Sequence, residues 1–225
     1  MVLSPEEARV VACLVEKETT IADSYPLTLN ALRLACNQST NRDPVVAYDD
    51  RTVENALMSL KSMGLVRFVH PSHGGRTIRY RHVADERWRM THAELFVVAV
   101  LVLRGPQTTS EVRARTQRHV DDGDSGTVEE ILDMLAARSP EPFAARLEHR
   151  PGEREGRWAH ALCGLPGPDL AGAEWPAPIV DHDPVTTSAT ASAPTDLARD
   201  VAELWLRVER LERLLGLDED VTSQR

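Results

Sequence analysis

The sequence predicts a mainly helical α+β protein in which one small unit, three helices and then a β-hairpin, occurs twice ahead of a linker and a C-terminal coiled-coil helix. Three observations predict it. Helical blocks recur along the chain in matching order, and after the third of each set the apolar spacing changes from about four residues to two. Beyond Leu165 the composition turns to Pro, Ala, Ser and Thr before a heptad stripe begins.

The first helix of the first unit is SPEEARVVACLVEKE (4–18). Ser4 supplies an N-cap, Pro5 a first-turn proline, and Glu6 and Glu7 acids at the positive end of the helix dipole. THAELFVVAVLVLRG (91–105) restates it, with Thr91 as cap, Glu94 at the capping-box position and Gly105-Pro106 as the stop. PLTLNALRLACN (26–37) and PQTTSEVRARTQR (106–118) are the second helices, each introduced by proline and a hydroxyl residue. The third helices, RTVENALMSLKSMGL (51–65) and GTVEEILDMLAARSP (126–140), keep Val53, Ala56, Leu57 and Leu60 in step with Val128, Ile131, Leu132 and Leu135. One face of each is therefore committed to a core.

VRFVHPSHGGRTIRYRHV (66–83) and FAARLEHRPGEREGRWAHALC (143–163) read as strand, glycine-containing loop, strand. Helix, helix, helix, hairpin is the order of a winged helix, a helix-turn-helix followed by a two-stranded wing. Tandem winged-helix domains are expected at 1–83 and 88–164, joined by ADERW, with a flexible linker over 165–195 and a coiled-coil helix over 196–216. In the last segment Leu197, Val201, Leu204, Val208, Leu211 and Leu215 are spaced alternately by four and three, a heptad seam that points to a parallel homodimer.

A chain of 225 residues has room for two such domains, each with its own core, and a tail. The net charge of −9 is unevenly spread: residues 1–83 hold ten Lys/Arg against nine Asp/Glu, and residues 164–225 hold five against twelve. The folded part thus tolerates DNA without a strongly basic face. The chain lacks both an 18-residue apolar run and a secretory start, so no membrane contact and a cytoplasmic location are expected. Cys13, Cys36 and Cys163 form no CxxC pair and are expected as small core or near-core residues.

LSPEEARVVACLVEKE, YPLTLNALRLACNQSTNRDPV, LRGPQTTSEVRARTQR and EREGRWAHALC closely resemble the YceH-like family of bacterial proteins, a domain of unknown function, over about residues 3–164. The resemblance implies a tandem winged-helix fold and a cytoplasmic bacterial protein. It implies no activity.

The residues themselves offer little catalytic chemistry. No P-loop, dinucleotide fingerprint, GxSxG elbow or HExxH occurs, so no enzyme and no cofactor are expected. His70 and His73, or Asp181-His182-Asp183, are too few and too loosely placed for a zinc site, which needs three or four ligands held on fixed elements.

DNA is the partner that the expected fold suggests. Asn37, Gln38, Ser39, Thr40, Asn41 and Arg42 would form the turn before the third helix. Asn55 and Lys61, with Met58, Ser59 and Ser62, would lie on that helix's outer face, and Arg76, Arg79 and Arg81 on the wing. Alternation in RTIRYRHV turns Ile78 and Tyr80 inward and Arg79 and Arg81 outward, a phosphate clamp. The plainer reading of Asn37 to Asn41 is a turn capped by its own side chains. Two functions follow: a dimeric DNA-associated regulator, or an adaptor whose paired winged helices bind another protein without DNA contact.

Overall fold

The computed structural model describes residues 2–71, 77–120, 126–148 and 155–165, which lie in one compact unit. The six heptad positions from Leu197 to Leu215 and the linker before them lie outside the described residues.

Helix α1 (Pro5–Thr20) starts at a reciprocal cap, in which the Ser4 hydroxyl accepts from the Glu7 N–H at 3.2 Å and the Glu7 carboxylate accepts from the Ser4 N–H at 2.8 Å. A 3-10 turn (Ala22–Ser24) leads to a two-residue strand, β1 (Leu27–Thr28), then α2 (Leu29–Cys36), capped by Thr28. After a loop come α3 (Asp50–Ser62), β2 (Val66–Val69) and β3 (Arg79–His82). A single turn, α4 (Ala84–Trp88), precedes the second unit. That unit repeats the order with α5 (His92–Arg104), β4 (Gln107–Thr108), α6 (Thr109–Val120), α7 (Val128–Ala137), β5 (Ala144–Arg146) and β6 (Arg157–His160). The result is a mixed α+β chain with two antiparallel three-stranded sheets, ordered β1-β3-β2 and β4-β6-β5.

Three elements go beyond the sequence expectation. Strands β1 and β4 are two residues long, too short to show a period, and exist by pairing Leu27 with Tyr80 and Gln107 with Trp158. The joining segment ADERW is helix α4, and it buries Ala84 and Trp88.

The expectation of two separate cores is corrected. The buried side chains form one continuous core, because α1 and α5 pack against each other. Helix α1 buries eight successive residues from Ala8 to Val15, and α5 buries nine in a row from Leu95 to Leu103. A helix that is buried all round cannot sit on the outside of a small domain. Backbone links reinforce the joint: the Asp43 N–H donates to the Leu103 carbonyl at 2.8 Å, and the Leu3 N–H to the Leu162 carbonyl at 2.8 Å. Cys13 and Cys36 are buried and Cys163 is half-buried, all as free thiols.

One titratable group at the end of β6 is expected to make the fold acid-sensitive. Burial, with Arg9 adding to it, pushes the His160 imidazole down to about 4 from an ordinary 6.5. Between those values the unfolded chain binds a proton that the folded chain does not, so stability falls as pH drops. Going from pH 7 to pH 5 is expected to remove about 2 kcal/mol, at ~1.36 kcal/mol per unit. Urea unfolding at both pH values should show a smaller loss for His160→Gln; an equal loss would place the sensitivity elsewhere.

Candidate nucleic-acid interface

The stretch from Asn37 to Arg42 is divided: its two ends turn into the protein and its middle faces outward. Asn37 ends α2 and grips the chain eleven residues on: its amide donates to the Tyr48 carbonyl and accepts from the Tyr48 N–H, both at 2.8 Å. Gln38 accepts from Arg42 at 2.6 Å and from Lys17 at 3.2 Å. Asn41 takes a left-handed conformation, φ 59°, which Asn tolerates better than most residues. Ser39, Thr40 and Asn41 are exposed. The capped-turn reading thus describes Asn37 and Gln38.

Arg42 departs furthest from its expected place. Its side chain is fully buried and forks onto Glu16, Nη2 to Oε2 at 2.6 Å and Nη1 to Oε1 at 3.0 Å. It also donates to the Ala35 carbonyl at 3.0 Å and the Asn41 carbonyl at 2.9 Å. Burial pushes the Glu16 carboxyl up, but the hydrogen bonds and charge of Arg42, helped by Lys17, outweigh it and hold it below the usual range. A guanidinium so enclosed cannot reach a phosphate, so Arg42 leaves the list of surface contacts.

Helix α3 positions the surface that remains. Its N-cap Asp49 accepts from the Thr52 N–H at 2.7 Å, and Val53, Ala56, Leu57 and Leu60 turn inward. Asn55 and Lys61 are exposed, and Met58 is 59% exposed. The Lys61 ammonium lies 4.4 Å from the centre of the Phe68 ring, a cation–π contact that steadies it over β2. Asp50, which would repel a phosphate, is paired with Arg33 at 2.7 Å. Glu54 remains exposed on the same helix.

On the ribbon the predicted alternation is present: Tyr80 is buried, Ile78 half-buried, Arg79 exposed and Arg81 half-buried. Arg79 nonetheless has an internal task. It sits opposite Thr28 and donates to the Pro26 carbonyl at 2.8 Å. Arg157 does the same in the second unit, opposite Thr108 and donating to the Pro106 carbonyl at 3.1 Å. Each arginine ties the inner strand of its ribbon to the proline that introduces the second helix. Arg81 lies opposite Arg67, and Arg67 is paired with Glu86 at 2.8 Å. The side chains of Arg51 and Arg81 make no hydrogen bond or ion pair among the described residues. Arg76 and His73 lie outside them, as do Asp181 to Asp183, and His70 is exposed.

Several residues that organise the site carried no signal in the sequence. Arg9 is buried on α1 and donates to the Pro44 carbonyl at 2.6 Å. His82, the last residue of β3, is buried, with Nε2 2.6 Å from Glu18 Oε2, while its backbone N–H donates to the Tyr25 hydroxyl oxygen at 2.8 Å. No described helix is long and apolar enough to cross a membrane.

Comparison with known proteins gives a consistent result. A family model described as "Protein of unknown function, DUF480" matches residues 3–153. A UPF0502 protein of Geobacter sulfurreducens is 45% identical over 178 residues, 79% of each chain. One from Burkholderia ambifaria is 38% identical over 224 residues, 97% of this chain and 91% of its own. One from Aliivibrio fischeri is 37% identical over 220 residues, 96% and 97% of the two chains.

Proposed function

Taking as premise that the chain belongs to the DUF480 family, we propose that it is a non-enzymatic tandem winged-helix protein that holds duplex DNA by its phosphates. The contact surface is α3 and the ribbon of the first unit. The repeated order of elements, with the short strand between the first two helices added to the edge of the ribbon, supports the winged-helix reading. The observation that carries the function is the outer face of α3 with its ribbon: Arg51, Lys61 and Arg81 form no salt bridge among the described residues, Asp49 acts on Arg51 only at longer range, and Asp50 is paired with Arg33. Asn55 beside them has an amide suited to an adenine edge. The heptad seam from Leu197 to Leu215 would pair two chains and set the spacing of two contacts.

Three cations per chain make a weak, salt-sensitive binder. Each neutralised phosphate contributes about −0.9 to the slope of log K against log salt, so the slope should be roughly −3 per chain. Fluorescence anisotropy with a random duplex measures it. Lys61→Glu together with Arg81→Glu should abolish the binding. Absence of any binding at low salt would sink the reading.

The adaptor reading is supported by a different observation. Met58 and Met134, on α3 and α7, are 59% and 48% exposed. Exposed methionines suit an adaptable protein contact, and a chain of net charge −9 repels DNA elsewhere. Met58→Ser should weaken a protein complex while leaving the DNA slope unchanged.

A further inference from the structure

A cavity of about 190 Å³ lies where α1 meets α5 and α6, with Asn41 at its edge and away from Arg51, Asn55, Lys61 and Arg81. Polar groups make up most of its lining, and Phe96, Ala99, Val100 and Leu103 of α5 give it an apolar part. Two guanidinium groups face it, Arg104 at the end of α5 and Arg115 on α6.

The two arginines are held differently. Arg115 donates to the side-chain oxygen of Gln107, and Gln107 is itself buried and donates to the Val100 carbonyl at 3.2 Å. Arg115 is therefore aimed from a fixed base. The Arg104 side chain makes no hydrogen bond or ion pair among the described residues. Its guanidinium is held below its ordinary range by burial first and then by the charge of Arg115. His119 adds a third donor. Its ring rests 4.4 Å from the Phe96 ring centre, and burial followed by the charge of His92 pushes its imidazole down.

The one carboxylate in the wall among the described residues is already occupied. Glu16 binds Arg42 through both oxygens and Lys17 at 3.2 Å. Arg104 and Arg115 are thus gathered at a partly enclosed site without a salt bridge among the described residues, and Glu16 acts on Arg104 only at longer range. In a chain of net charge −9 such a cluster is not explained by general composition.

We propose that this cavity binds a short-chain organic carboxylate, the carboxylate forked between Arg104 and Arg115 and the carbon chain laid on Ala99, Val100 and Leu103. Two guanidinium groups match carboxylate geometry bidentately. The apolar part favours an organic anion over an inorganic one, which would leave that surface uncovered. At ~30 Å³ per water-sized group, the space admits about six such groups, so the ligand is small.

Calorimetric titration of the full chain with butyrate tests this, against sodium chloride and inorganic phosphate at equal ionic strength. Saturable butyrate binding is expected, at least tenfold tighter than phosphate. Arg104→Gln should weaken it at least tenfold while melting no lower than the parent, since Arg104 anchors nothing and repels Arg115. Arg104→Lys keeps the charge and loses the fork, and should also weaken binding, by less. No saturable butyrate binding, equal binding of phosphate, or unchanged affinity in both variants would overturn the assignment.

Discussion

Replacing Arg42 by alanine is expected to cost about 3–5 kcal/mol of folding stability, the range for removing one partner of a buried ion pair. The size follows from what is left behind. Glu16 would keep only Lys17 at 3.2 Å, while Gln38 and the Ala35 carbonyl would each lose a donor. A void would open between α1 and the loop after α2, and no small side chain could fill it. Urea unfolding measures the loss. Arg42→Met combined with Glu16→Leu should recover part of it, because the double change removes the charge together with its counter-charge. A loss below about 1 kcal/mol in Arg42→Ala would mean that the pair behaves like an exposed one. The same variant separates structure from recognition: at temperatures where it stays folded, its affinity for duplex DNA should equal that of the parent.

Leu101→Ala should cost about 2–5 kcal/mol, through the lost apolar transfer and the cavity that replaces it. Leu101 is wholly buried in α5, on the helix that joins the two units. The more informative result concerns cooperativity. With one continuous core, amides in α1 and α5 should lose the same amount of hydrogen-exchange protection. Two transitions, with α1 unaffected, would show that the units fold separately after all.

Much of the architecture was legible because local chemistry specified it. Ser4 with Glu7, and Thr91 with Glu94, announced two helix starts that the structure closes as reciprocal caps. The third helices were readable from four apolar positions kept in step. Strands β1 and β4 were not, since a two-residue strand has no period and its partner lies some fifty residues away. The merged core could have been suspected from ELFVVAVLVL, which leaves α5 no polar face to turn to water.

The candidate surface was less legible, for an electrostatic reason. Arginine is usually exposed, and nothing in the residues near Arg42 reveals that Glu16, twenty-six positions earlier, will enclose it. Arg79 did leave a trace. Aligning the two units places Arg79-Tyr80 over Arg157-Trp158, and Pro26 over Pro106, a recurrence that fits a structural tie better than a contact with DNA. The cavity beside Arg104 left none, because its walls come from α1 of one unit and α5 and α6 of the other.

The seam between α1 and α5 also limits how such a gene can change over time. A half-length copy would bare the side of α1, or of α5, that now meets the other helix, as an oily ridge that water cannot wet and that neighbouring chains would seize. Duplication could create this molecule from one ancestral unit, but once the seam had formed neither copy could be shed or traded for a foreign one without clumping.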